Sequence, residues 1–238
     1  MTQGQQEGNK QGSKQGRLIV LEGIEGVHLE EFAHQLALYL ANRGVKRSQI
    51  RITRQPSDGP VGRDIRLALR GRLQLDKRTL AVLFAADRLD HLHVPETGIE
   101  ARLQKGDWII LDRYYLSQYA FQTYQGFDLD WLRALNRHCR RPDLTFYIEL
   151  PMDTCIGNYQ AQLRLRGYHY SLLSPAGVDV PDRAGYERAK EYLEAIRERY
   201  RSVIEELRGE EDIEVIEAST TREATRLMRR ALDKRNWF

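Results

Sequence analysis

The chain has 238 residues, of which 41% are hydrophobic and 30% are charged, and this composition excludes a protein that is disordered throughout. Its formal net charge is only +3, so the composition gives no sign of the strongly basic surface of nucleic-acid-binding proteins, and we expect no nucleic-acid partner. No apolar run of about 18 residues occurs and the N-terminus has no apolar signal core, so we expect no membrane partner. Two cysteines outside any Cys-x-x-Cys pair fit a reducing compartment, and we expect a cytoplasmic protein.

The order of predicted elements indicates one α/β domain after a short tail. Residues 1–16 form a Gln/Gly/Lys tract with little to bury, which predicts a disordered tail, and residues 17–238 form a single domain. Strands are predicted at 18–22, 50–53, 108–112, 144–150 and 213–218. Helices are predicted at 29–44, 62–71, 79–92, 129–139 and 186–209, with a helical stretch through 117–122 and a last helix from Thr220. Because helices separate the strands, we expect a three-layer fold, in which a five-stranded parallel sheet has helices on both faces.

Residues 163–183, "LRLRGYHYSLLSPAGVDVPDR", interrupt this alternation with two prolines and two glycines. A loop of this length in a compact domain is usually functional, so we interpret it as a lid, with a plain surface loop as the alternative.

Charged residues follow the predicted strands at the edge where parallel sheets bind ligands. Arg54 ends the second strand, and Asp112 and Arg113 end the third. A carboxylate suits Mg²⁺ and arginines suit phosphate oxygens, so this edge is typical of a phosphoryl-transfer site.

Several motifs in fixed order resemble the thymidylate kinase family. They are "LEGIEG", "TRQPSDGPVGRDIR", "LFAADR", "DRYYLSQYAFQ" and "RPDLTFYIELP". The resemblance implies the P-loop kinase fold, the reaction of ATP with dTMP to give ADP and dTDP, and a homodimer.

The resemblance also implies which side chains surround a thymidine nucleotide. Phe84 would stack on the thymine ring, Arg88 would reach its exocyclic oxygen, and Ser117 and Gln122 would form hydrogen bonds around the base. A structural role remains the alternative for each of them, for example Phe84 in the core or Ser117 as a helix cap.

The phosphate side of the site is implied in the same way. Arg54 and Arg113 would hold the acceptor phosphate, Glu25 would lie beside the acceptor, and Asp112 would organise Mg²⁺ if the protein is active. Gln55 stands where the family has a glutamate.

The loop that would hold ATP departs from the family pattern. After Gly23 and Gly26, His28 stands in place of glycine, Leu29 in place of the phosphate-binding lysine, and Glu30 in place of the hydroxyl residue that binds Mg²⁺. Each unit of charge change is worth on the order of 3 kcal/mol at roughly 6 Å and an effective dielectric constant of about 20. We therefore expect this degenerate loop to repel ATP, while Leu29 extends the apolar stripe of the following helix.

These observations leave three hypotheses. The first is a weakly active or inactive pseudokinase that binds a thymidine nucleotide. The second is an active dTMP kinase in which the lid arginines Arg164 and Arg166 replace the missing lysine. The third is a non-catalytic scaffold or regulatory partner, for example in a heterodimer with a related kinase.

Overall fold

The computed structural model describes residues 16–166 and 183–238 of the chain. The strands are β1 (Arg17–Glu22), β2 (Ile50–Arg54), β3 (Trp108–Asp112), β4 (Leu144–Glu149) and β5 (Ile213–Glu217). The helices are α1 (Leu29–Asn42), α2 (Pro60–Leu69), α3 (Lys77–His93), α4 (Ile99–Gln104), α5 (Tyr115–Tyr124), α6 (Leu129–Asn136), α7 (Met152–Arg166), α8 (Arg183–Glu206) and α9 (Thr221–Asp233). Most of the predicted tail and lid, residues 1–15 and 167–182, lie outside the described residues.

The strands form one parallel sheet in the order β2-β3-β1-β4-β5, which confirms the predicted α/β fold. The three central strands β3, β1 and β4 are almost wholly buried, because their continuous apolar sequences are covered on both faces. The edge strands β2 and β5 expose part of their side chains, including Ile52 and Val215.

The helices pack around the sheet in two groups. Helix α1 packs on β2 and β3 and beside α9, which packs on β5, while α5 packs against α8, α3 and α6. No helix in the described part of the chain is long and apolar enough to cross a membrane.

Two helices were not predicted, and one of them overlaps the start of the predicted lid. Helix α4 is only six residues long, too short to give a clear periodic pattern. Helix α7 runs to Arg166, so residues 163–166 are helical and not part of a loop. The physical reason is that this segment contains helix-forming residues and no glycine or proline after Gly157 until residue 167.

Candidate functional site

The carboxyl ends of β1, β2 and β3 bring the predicted phosphate-binding residues to one edge of the sheet. In the strand register, Asp112 pairs with Leu21 on one side and with Arg54 on the other. Asp112 is half-buried, and Arg54 is exposed with its Nη2 donating to Asp58 Oδ1 at 3.1 Å. That hydrogen bond raises the pKa of Arg54, so its guanidinium stays charged. The exposure of the side chain leaves it accessible to an anion.

A buried carboxylate, Glu22, organises the loop that follows β3. Its Oε1 accepts hydrogen bonds from the backbone N–H groups of Tyr114 (2.8 Å) and Ser117 (3.2 Å). Its Oε2 accepts from the hydroxyl groups of Ser117 and Tyr200, the latter at 3.0 Å. Burial raises the pKa of Glu22, although Arg113 and these hydrogen bonds partly offset that effect. Ser117 is therefore held inside the protein by Glu22.

Arg113 lies beside this carboxylate and contacts the loop at 23–30. Its backbone is left-handed, with φ of 66°, and its Nη1 donates to Gly23 O at 2.9 Å, to Ser117 Oγ at 3.2 Å and to the Tyr200 hydroxyl at 3.2 Å. Burial by itself would lower the pKa of Arg113, but Tyr200, Glu25 and other acidic groups raise it overall. Arg113 thus joins the start of the loop to α5 and α8 as a permanent positive charge.

Glu25 is the second carboxylate near Arg113. Its Oε2 is buried and has no hydrogen-bond partner among the described residues. Burial raises its pKa, and the nearby charge of Arg113 lowers it by less. A buried carboxyl oxygen without a partner at this position is suited to accept a hydrogen bond from a ligand hydroxyl group.

The loop at 23–30 contains a tight turn, and its side chains differ in exposure. Gly26 has φ of 83°, and a Cβ there would lie 2.0 Å from the backbone oxygen of Cys155, so only glycine fits. His28 is exposed and left-handed, with φ of 61° and ψ of 56°. Leu29 is only 5% exposed and belongs to the main core, as its apolar spacing predicts, whereas Glu30 is exposed in the first turn of α1.

Helix α7 holds this loop from the other side. Asn158 Nδ2 donates to Gly26 O at 2.8 Å, and the Cys155 backbone lies against Gly26. Arg164 follows two turns later on α7 and is exposed. The side chain of Arg166 lies outside the described groups.

Of the residues predicted to bind the base, Phe84 is partly accessible to solvent and Arg88 is not. Phe84 is half-buried and packs on a small apolar cluster with Ile65 and Leu80. Arg88, one helical turn later, is 1% exposed and bonded to the side chains of Gln55 and Gln118. Its guanidinium is therefore engaged inside the protein.

Sequence reasoning missed several residues of these networks. Glu22 was predicted only as the end of a strand. Tyr200 and Gln118 were not predicted as site residues, although they form hydrogen bonds with Arg113 and Arg88, respectively. Their side chains come from α5 and α8, and no local spacing in the sequence links those helices to the loop at 23–30. The sequence offered one signal for Glu22, because a glutamate at the end of an apolar strand is rarely buried unless it is paired.

A surface groove of about 990 Å³ lies between α1 and α9. It is lined by Glu31 and Tyr39 from α1 and by arginines of α9, including Arg222 and Arg229. None of the predicted site residues lines it, so we do not assign it to the site.

Comparison with known proteins agrees with the fold and the motifs. The family model for thymidylate kinase matches residues 21–168. The chain is similar to the probable thymidylate kinase of Thermococcus kodakarensis, with 36% identity over 152 residues, 60% of this chain and 71% of that protein. It is also similar to the thymidylate kinase of Xanthomonas oryzae pv. oryzae, with 36% identity over 153 residues, 64% of this chain and 62% of that protein. The crystal structure of thymidylate kinase from Ehrlichia chaffeensis has the same fold, with a TM-score of 0.65 and 21% identity over 92% of this chain and 99% of that chain.

Proposed function

The chain belongs to the thymidylate kinase family, and from this premise we propose that it binds a thymidine nucleotide but has a degenerate ATP loop and weak or absent kinase activity. The observation that carries the proposal is the position of Leu29. The family's lysine would contact the β- and γ-phosphates of ATP, whereas Leu29 is 5% exposed and packs in the main core. Residue 29 therefore offers no positive charge to the phosphates of ATP, and its side chain contributes to the stability of the fold instead.

The charges that remain at the loop oppose an anionic donor. Glu30 and Glu31 are exposed in the first turn of α1, where carboxylates are stabilised by the positive end of the helix dipole. In an ATP-binding loop, these two positions hold the hydroxyl residue that binds Mg²⁺ and the residue that follows it. Negatively charged side chains close to a triphosphate repel it, so we expect a low affinity for ATP.

The acceptor side keeps more of its chemistry. Arg54 is an exposed cation at the end of β2, Asp112 lies next to it in the strand register, and Phe84 offers a half-buried ring on α3. Among the described residues, no group of three or more His, Cys, Asp and Glu side chains is placed to hold a metal ion. Mg²⁺ is commonly held by one or two carboxylates together with substrate phosphates, so Asp112 fits as its protein ligand in an active protein.

An active dTMP kinase is the second candidate, and the position of Arg164 favours it. This side chain is exposed on α7, the helix whose Asn158 contacts the loop backbone. In this alternative, Arg164, with Arg166, supplies the positive charge that Leu29 cannot supply.

The test combines binding and turnover. Calorimetric titration with dTMP and separately with Mg-ATP, alongside an assay of dTDP formation, should give binding of dTMP with little ATP binding and little turnover. The variant that carries His28→Gly, Leu29→Lys and Glu30→Ser together should raise turnover. Substantial wild-type turnover that falls on Arg164→Ala would replace the proposal with the active kinase.

The same titration identifies the remaining hypothesis. If neither nucleotide binds, the protein is a scaffold or regulatory partner, and Phe84→Ala would then leave its function unchanged. Leu38→Ala, at an exposed apolar position on α1, serves as the control for removal of an apolar side chain.

A further inference from the structure

The groove between α1 and α9 is lined on its α9 side by a row of arginines. They are Arg222, Arg226, Arg229 and Arg230, and steps of three or four residues place them on one face of the helix. The helix rises about 12 Å from the first of them to the last. The groove volume of about 990 Å³ lies at the upper end of the range for small-molecule sites, so the groove can hold an extended ligand.

The carboxylates of the groove do not balance these arginines. Asp233 forms an ion pair with Arg43 at 3.1 Å, outside the groove lining, and Glu223 forms one with Arg226 at 3.6 Å. Among the described residues of the groove, Glu31 alone is left to oppose the three arginines that have no ion pair. The groove therefore carries a net positive charge.

The arginine row is unfavourable for α9 as an isolated helix. Like charges one helical turn apart repel each other. Arg222 also lies in the first turn of α9, where the positive end of the helix dipole disfavours a cation. Arg222 and Arg230 are exposed, and neither forms an ion pair or hydrogen bond with another described residue. An anion bound in the groove would relieve both effects.

Arg229 is the least exposed part of this row and is held by α1. Its Nη2 donates to Gln35 Oε1 at 3.4 Å, and its guanidinium carbon lies 5.7 Å from the centre of the Tyr39 ring. Its Nε is buried and has no acceptor among the described residues. One hydrogen bond uses one of the five N–H donors of a guanidinium group. Because Arg229 lines the groove, it has donors left for the acceptor atoms of a ligand.

The chemistry of the row identifies the class of ligand. The planar guanidinium group matches a phosphate group, because two of its N–H donors can meet two phosphate oxygens. A single phosphate group contacts only one or two side chains, whereas this row extends over about 12 Å. A ligand with several phosphate groups in series uses more of the row.

We infer that the groove between α1 and α9 binds a phosphate chain, either as a free inorganic polyphosphate or as part of a nucleotide. The groove shares no residue with the loop at 23–30, and none of the predicted site residues lines it. The inference therefore goes beyond the proposed function and does not depend on it.

The probe is inorganic triphosphate, titrated by calorimetry without Mg²⁺ and at low ionic strength. Joint substitution Arg226→Ala and Arg230→Ala removes two exposed cations of the row, and alanine is favourable in a helix. This variant should bind triphosphate about tenfold more weakly than the wild-type protein. Added salt should weaken binding to the wild-type protein, because the charges of the row are partly exposed.

Two controls locate the binding. Joint substitution Arg47→Ala and Arg199→Ala removes two exposed arginines outside the groove and makes the same change in net charge. Arg54→Ala removes the cation at the edge of the sheet. Both controls should keep the affinity for triphosphate within about twofold, and thermal unfolding shows that each variant is folded.

A comparison of GTP with inorganic triphosphate distinguishes the two sources of the phosphate chain. Equal affinities, both reduced by the Arg226 and Arg230 substitutions, show that the chain alone is recognised. Tighter binding of GTP with the same dependence on these arginines shows that a nucleotide is preferred. Either result supports the inference.

Three outcomes would overturn the inference. They are no binding of triphosphate to the wild-type protein, an affinity that the Arg226 and Arg230 substitutions leave unchanged, and binding of a poly-glutamate peptide without triphosphate, which would indicate an acidic protein partner. Titration with dTMP tests the proposed function separately, since the groove variant should bind dTMP as the wild-type protein does. Loss of triphosphate binding in this variant, in a protein that never binds dTMP, would support the inference and refute the proposed function.

Discussion

Substitution of Leu29 by lysine tests how much the burial of residue 29 contributes to the stability of the fold. Leu29 is 5% exposed, so nearly all of its side chain is withdrawn from water. Full burial of a leucine side chain is worth about 1.5–3 kcal/mol. A lysine at this position loses most of that contribution, because its ammonium group must reach water along the loop surface. We therefore expect Leu29→Lys to lower the free energy of unfolding by about 2 kcal/mol, a large share of the roughly 5–15 kcal/mol that stabilises a typical protein.

The assay is urea unfolding followed by circular dichroism, with dTDP formation measured on the same sample. Leu38→Lys is the matched control, because Leu38 lies on the same helix and is 50% exposed, so the same substitution should change stability little. Leu29→Met preserves volume and should cost less than about 1.5 kcal/mol. The reasoning would be refuted if Leu29→Lys were as stable as Leu38→Lys and also gained turnover, because residue 29 would then face the nucleotide.

Three further predictions concern the loop and the buried networks. Burial raises the pKa of Glu25 above its ordinary value of 4.5. The stability that its protonated form contributes is therefore present below pH 4.5 and is lost as pH rises through the higher folded-state pKa. Glu25→Gln should reduce this fall in the free energy of unfolding above pH 4.5, with exposed Glu30→Gln as the control for removal of a carboxylate. Gly26→Ala should lower the free energy of unfolding by about 3 kcal/mol or more, because its Cβ would lie 2.0 Å from a backbone oxygen. Gly44→Ala is the control and should cost only about 1 kcal/mol, because nothing lies within 4 Å of its Cβ. Equal losses in urea unfolding would contradict the steric argument. Arg88→Leu leaves several buried amide oxygens without a donor and should cost about 3 kcal/mol in the same assay, and a loss below about 1 kcal/mol would show that the network relaxes.

The fold could be predicted from the sequence because its central strands have an unmistakable pattern. The apolar runs "LIVLE", "WIILD" and "LTFYIEL" became the buried strands β1, β3 and β4, and the helical sequences between them required parallel pairing. Helix α7 was missed because its residues show no apolar periodicity, and length alone could not distinguish it from the loop that follows.

The candidate site was predictable only where a residue follows a strand. Arg54, Asp112 and Arg113 were predicted at one edge because parallel strands end there together, and Arg54 pairs with Asp112 in the strand register. The orientation of Arg88 was not predictable, because it depends on Gln118 and on other amides from separate helices. Such networks arise from tertiary packing, which spacing along the chain does not encode.

Contacts from α7 and the burial of one side chain together fix the conformation of the loop at 23–30. Asn158 bonds to the Gly26 carbonyl, and the Cys155 backbone leaves no room for a side chain at Gly26, so the start of the turn is tightly fixed. His28 adopts a left-handed conformation that costs roughly 1–2 kcal/mol for a residue other than glycine. Burial of Leu29 offsets a cost of that size, since it contributes about 1.5–3 kcal/mol. The backbone cost at His28 and the burial of Leu29 are therefore coupled. On the proposed function, Leu29→Lys alone should destabilise the protein without raising turnover, whereas the combined loop variant should raise it.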